Sequence, residues 1–174
     1  LGIMGKEKLD VDYTEKIFLE ISRLIKNSSY LAPEIINCVN VITKSLKKGK
    51  KIILFGNGGS AAIASHFSVD LTKNARIRCV NFNEADLITC FANDYGHENW
   101  FKEAIKAYCS KNDLIIIISS SGKSPNVVNA AKFCNENNYD LITLTGFDKN
   151  NDVSKLGKIN FYVNSQEYNY VEMT

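Results

Sequence analysis

Apolar residues recur at spacings of three and four over residues 13–25, at Ile17, Phe18, Ile21, Leu24 and Ile25. That period predicts an amphipathic helix. Asn27-Ser28-Ser29 breaks it. Pro33 opens a second helix from a favoured first-turn position. It runs through Ile35, Ile36, Val39, Ile42 and Leu46 to Lys50. From Lys51 the texture changes to short apolar runs alternating with helical stretches. Strands are predicted at 51–55, 78–82, 113–119, 141–145 and 159–163, the third carrying four consecutive isoleucines. Helices are predicted at 61–73, 84–93, 99–109 and 125–137. Strands that alternate with helices and are apolar throughout belong to a parallel sheet covered on both faces. The expectation is an α/β chain, a three-layer αβα sandwich with a five-stranded parallel sheet. The two leading helices are expected to pack on that core or on a neighbouring subunit.

Composition narrows the partners. The 174 residues fit one domain, with 45% hydrophobic and 23% charged residues. A net charge of +2 with both signs interleaved gives no electrostatic case for nucleic acid. Five cysteines, an odd number without a CxxC pair, point to buried free thiols in a reducing compartment. No apolar run has bilayer length and no signal peptide is evident, so a cytoplasmic protein without a membrane partner is expected. The residues ahead of Met4 read as an addition left from expression.

The candidate chemistry sits after the strands, where open parallel sheets bind ligands. Gly56-Asn57-Gly58-Gly59-Ser60 follows the first strand and leads into a helix. Its glycines allow close backbone approach, and the helix start supplies free N–H groups. Ala61 stands where a dinucleotide fingerprint needs glycine, and no Gly-Lys-Ser/Thr of a Walker loop follows. The pattern alone fits an anion site or an ordinary strand-to-helix turn. Ser119-Ser120-Ser121-Gly122-Lys123-Ser124 follows the strongest strand. Ser124 before Pro125 reads as an N-cap and first-turn pair. The remaining hydroxyls, with helix N-terminal amides, make a donor-rich cradle for a phosphate dianion.

His66 and Asp70 share a helix face at a spacing of four. Such a pair ligates a divalent metal, works as an acid/base couple, or is simply a surface pair. Asn93 and Asp94 fit a turn or contacts to sugar hydroxyls. His97 reads as a solvent-exposed loop residue.

At these residues the chain resembles the SIS (sugar isomerase) domain family of flavodoxin-like fold, and within it the phosphoheptose isomerase type. The matching pieces are Gly56-Asn57-Gly58-Gly59-Ser60-Ala61-Ala62, His66-Phe67, Asp70-Leu71-Thr72 and Ala92-Asn93-Asp94-Tyr95-Gly96. They continue with Ser119-Ser120-Ser121-Gly122-Lys123-Ser124-Pro125-Asn126-Val127 and Leu144-Thr145-Gly146-Phe147-Asp148. The resemblance implies isomerisation of sedoheptulose 7-phosphate in bacterial heptose synthesis, for lipopolysaccharide or capsule. It implies a homotetramer with active sites between subunits, zinc (Zn2+) in some members, and no nucleotide cofactor. Asn57, Gly58, Gly59, Ser60, Asn93 and Asp94 would contact the substrate. Ser119, Ser120, Ser121 and Ser124 would hold its phosphate.

Two positions depart from the family. Its catalytic base is a glutamate four residues after the histidine; Asp70 stands there, one methylene shorter. A glutamine that contacts substrate and metal is matched by Glu172. The implied metal ligands are therefore His66, Asp70 and Glu172, with Asp70 as base of an enediol proton transfer. The family's C-terminal helix, with a second catalytic histidine, is expected beyond Thr174 and so outside this chain. The competing expectations are a non-catalytic phosphosugar-binding SIS regulator or adaptor, and an isomerase of a different phosphosugar. A dinucleotide oxidoreductase is disfavoured by Ala61.

Overall fold

Asp10 starts the first helix by accepting the Tyr13 N–H at 2.9 Å, an N-cap bond that satisfies one of the free amides of the first turn. The computed structural model describes residues 10–46 and 49–174. Positions 47 and 48 of the predicted second helix lie outside these, as do 1–9 with the expected addition ahead of Met4.

Helix α1 spans Val11–Asn27, a 3-10 turn spans Ser28–Leu31, and α2 spans Ala32–Leu46. The predicted break is thus a tight helical turn, pinned where the Tyr30 hydroxyl donates to the Tyr162 carbonyl at 2.6 Å. The rest alternates as expected: β1 Ile52–Phe55, α3 Gly59–Lys73, β2 Cys79–Asn81, α4 Ala85–Tyr95, α5 Trp100–Tyr108, β3 Leu114–Ser119, α6 Pro125–Glu136, β4 Asp140–Thr145 and β5 Ile159–Tyr162. A short α7, Tyr168–Met173, follows. No element was predicted there, because six residues are too few to set a period.

All strand pairs are parallel, in the order β2-β1-β3-β4-β5. Successive side chains of a strand face opposite ways. Ile53, Phe55, Ile115 and Ile117 meet α5 and α6 on one face, with Phe55 stacked on Phe101 at 4.9 Å between ring centres. Ile52, Leu54, Leu114, Ile116 and Ile118 meet α3 and the Cys38, Val41 and Ile42 side of α2 on the other. This is the expected three-layer sandwich. At the amino end of the sheet, buried Asp113 accepts the Lys51 and Ser110 amides at 3.0 and 2.8 Å and pairs with the Lys51 ammonium at 2.5 Å. That clamp fixes β1 beside β3, so their carboxyl ends come out side by side.

Helix α1 behaves differently from α2. Among its residues only Leu24 is buried, while Phe18 and Leu19 are 69% and 70% exposed. Among the described residues, no helix is long and apolar enough to cross a membrane.

Candidate functional site

The order 2-1-3-4-5 places a switch point between β1 and β3, where the connections leave in opposite directions and open a crevice at the carboxyl ends. Both loops singled out by composition, residues 56–60 after β1 and 119–124 after β3, flank that crevice. They are joined directly. The Asn57 and Asn126 side chains exchange two hydrogen bonds of 3.0 and 2.9 Å.

In the serine loop each hydroxyl has a distinct state. Ser119, the last residue of β3, accepts the Gly122 amide at 3.2 Å, and Ser121 accepts the Lys123 amide at 3.3 Å. A hydroxyl that accepts an amide keeps its own proton for a ligand. Ser120 donates to Glu172 at 3.5 Å. Ser124 occupies the N-cap position of α6, yet its side chain makes no cap bond. The expected N-cap position is borne out, but Asn126 Oδ1 accepts the Val127 amide at 3.0 Å in place of the Ser124 hydroxyl. Gly122 has φ of 61° and lies against the buried Asn151 side chain, where a Cβ would collide. Glycine is required there on both counts.

Glu172 reaches this crevice from α7. Its carboxylate packs directly over Gly59, the first residue of α3, and any Cβ at 59 would run into it. A negative group at a helix N-terminus is electrostatically favoured. Ser60, one residue on, is buried in the first turn of α3. That turn is further braced by Asn83, which donates to the Ala61 carbonyl at 2.8 Å and to Ser65 at 2.6 Å. Neither Asn83 nor Asn126 was singled out from sequence. Their signal is faint, one asparagine two residues past β2 and one in the first turn of α6. Beside Ser120 and Glu172 lies a cavity of about 400 Å³ walled by Ile63, Ile118, Leu144 and Phe161. Its apolar walls do not suit sugar hydroxyls; the polar crevice does.

His66 and Asp70 form the expected pair on α3, Nε2 to Oδ2 at 3.4 Å. Asp70 Oδ1 also accepts from Asn74 at 3.1 Å. The pair is solvent-facing, the His66 side chain 83% and the Asp70 side chain 48% exposed. Gly59 and Asp70 are separated by about 16 Å of helix at 1.5 Å per residue. The implied metal ligands His66, Asp70 and Glu172 therefore do not come together in the chain: Glu172 sits at the start of α3, and the other two lie far along it. Among the described residues no group of three His, Cys, Asp or Glu side chains is arranged to hold a metal. The single chain does not fit the zinc that the resemblance implied, and no chemical step is routed through one.

Asn93 and Asp94 belong to the last turn of α4 rather than to a turn between helices. They are exposed and bonded to each other at 3.0 Å, without a bond to either loop. His97 is exposed as expected. The five cysteines are unpaired. Burial pushes the Cys79 and Cys109 thiols up to about 12, so neither is a thiolate nucleophile at neutral pH.

Comparison with known proteins agrees with this geometry. A sequence profile described as the SIS domain matches residues 12–146. The chain is 34% identical over 142 residues to the phosphoheptose isomerase of Campylobacter jejuni subsp. jejuni serotype O:6, covering 78% of this chain and 76% of that protein. It is 38% identical over 133 residues to the phosphoheptose isomerase of Aliarcobacter butzleri, covering 73% and 70%. In three dimensions it matches the phosphoheptose isomerase from Neisseria gonorrhoeae with a TM-score of 0.86 and 26% identity, over 92% of this chain and 89% of that one.

Proposed function

The chain belongs to the SIS domain family, among its phosphoheptose isomerases, and from that premise we propose that it converts sedoheptulose 7-phosphate to D-glycero-D-manno-heptose 7-phosphate. One observation carries the reading: the glycine-rich and serine-rich loops converge at the switch point and are bonded through Asn57 and Asn126. A phosphate dianion is met there by the Ser119, Ser121 and Ser124 hydroxyls and the start of α6. Ser120 joins them once it leaves Glu172.

The chemistry is an aldose–ketose proton shift. The C2 carbonyl of the ketose acidifies the C1 protons. Asp70 removes one as general base, the C1–H electron pair forms the C1=C2 bond, and the C2=O π pair moves onto O2, which takes up a proton to give an enediol. The O1 proton is then released as the C1 carbonyl forms, and C2 takes up a proton. The result is the aldose phosphate, with no net gain or loss of atoms.

Asp70 and the cradle of one chain are too far apart for this. The roughly 16 Å along α3 exceeds the reach of a seven-carbon sugar whose phosphate lies in the serine loop. The reading is therefore a site shared between copies. His66 and Asp70 of one copy face the sugar held by the loops of another. Their exposure supports this. So does the bare apolar surface of α1 and α2, where Val11, Phe18, Leu19 and Ile36 are 61–71% exposed. Apolar surface of that kind marks an interface. A homotetramer accounts for it.

The product belongs to bacterial heptose synthesis, for lipopolysaccharide or capsule. A biosynthetic role of that kind supports a cytoplasmic location. The test is direct. Purified protein given sedoheptulose 7-phosphate is expected to produce the aldose 7-phosphate. Tight phosphate binding without any aldose would overturn the reaction and leave a phosphosugar-binding regulator.

A further inference from the structure

We propose that Asn126 is a positioning residue of this site, which clasps the glycine loop to the serine loop and leaves the Ser124 hydroxyl to the ligand. The proposal rests on the cradle described above. Asn126 is 1% exposed, on the first turn of α6. Its Nδ2 donates to Asn57 Oδ1 at 2.9 Å, and its Oδ1 accepts from Asn57 Nδ2 at 3.0 Å. One bond between two loops would set a distance only. A reciprocal pair also sets the twist between the two amide planes. It therefore fixes how the two loops face one another across the crevice.

The same oxygen accepts the Val127 amide. That amide is the third of α6, one of the two that an N-cap hydroxyl ordinarily takes. With it occupied, Ser124 stands at the N-cap with its side chain uncommitted. Removing the Asn126 side chain has two consequences. Asn57 loses both bonds, so the glycine loop is no longer held to the serine loop. The Val127 amide becomes free, so Ser124 turns onto it and away from the phosphate. Both consequences act on ligand binding. Neither touches the reacting carbons.

The experiment uses the full chain and two readouts, the affinity for inorganic phosphate and steady-state kinetics with sedoheptulose 7-phosphate. Asn126→Ala is expected to weaken phosphate binding and raise KM about tenfold each, with kcat within about threefold of wild type. Asn57→Ala combined with Asn126→Ala is expected to lose no more phosphate affinity than the worse single variant, because both remove one clasp. Should Asn126→Ala fail to fold, Asn126→Asp keeps the shape and the bond to Val127 and loses only the donation to Asn57. Asn57→Ala, which adds no charge and removes the same clasp from the other loop, is expected to show the same loss of phosphate affinity. Phosphate affinity and KM within about twofold of wild type in Asn126→Ala would overturn the proposal, as would single losses of phosphate affinity that multiply in the double variant. A wild-type chain that binds phosphate but turns over no sugar overturns the reaction alone. One that binds no phosphate overturns both.

Discussion

Replacing Asp70 by asparagine is expected to lower kcat for sedoheptulose 7-phosphate by about 10²–10⁴, the range for loss of a positioned general base. The substitution keeps size and shape and removes only the proton-accepting charge. KM should change little, because the proposed site holds the phosphate in the serine loop and not on α3. Stability should also hold. The His66–Asp70 pair is solvent-facing, and exposed pairs are worth about 0–1 kcal/mol. Asp70→Glu, which restores a carboxylate one methylene longer, should keep most of the activity or increase it. A misplacement of about 1 Å costs on the order of a hundredfold, so an increase would show that the shorter carboxylate sits back from its proton. Steady-state kinetics on the three proteins checks this. An asparagine variant with wild-type kcat would remove Asp70 from the chemistry.

The second large effect is expected at the serine loop. Ser121→Ala combined with Ser124→Ala should lower kcat/KM by about 10²–10⁴, since each removes a hydrogen bond to a charged group worth roughly 1.5–3 kcal/mol. These two positions are chosen because both are only partly buried and neither hydroxyl bonds outside the loop. Ser119 is a poorer probe. It is buried, and its hydroxyl accepts the Gly122 amide, so its loss would disturb the turn itself. The loss should appear chiefly in KM, and in a matching loss of inorganic phosphate affinity by calorimetry. An unchanged phosphate affinity in the double variant would move the anion site elsewhere.

The sheet was legible because its strands are buried on both faces and read as unbroken apolar runs. Residues 114–118 could be little else. The helices were legible from their period, and their ends shifted by at most two residues except at the end of α2, expected at Lys50 and found at Leu46 with 47 and 48 outside the described residues. Position of the two loops at a switch point needed the strand order, which no local pattern contains. Ser124 stands at the N-cap as expected, but the missing cap bond was not legible, for a physical reason. The pattern shows which residue stands before a helix, but not that Asn126, two residues on, takes the amide first. The spacing of His66 and Asp70 was read correctly as a shared face. Their separation from Glu172 was not, since it depends on where α3 begins and on how the chain returns from β5 through α7. Helix α7 itself is too short to announce a period.

The central claim is that the cradle of one copy works with the carboxylate of another. Co-expression of Asp70→Asn chains with Ser121→Ala/Ser124→Ala chains, each carrying a different tag, tests it. Each variant alone is expected to be nearly inactive. Mixed oligomers isolated through both tags should recover about a quarter of wild-type kcat/KM, because random pairing joins one intact cradle to one intact Asp70 at about one site in four. Mixed oligomers no more active than the variants alone would place cradle and base in the same chain and contradict the account.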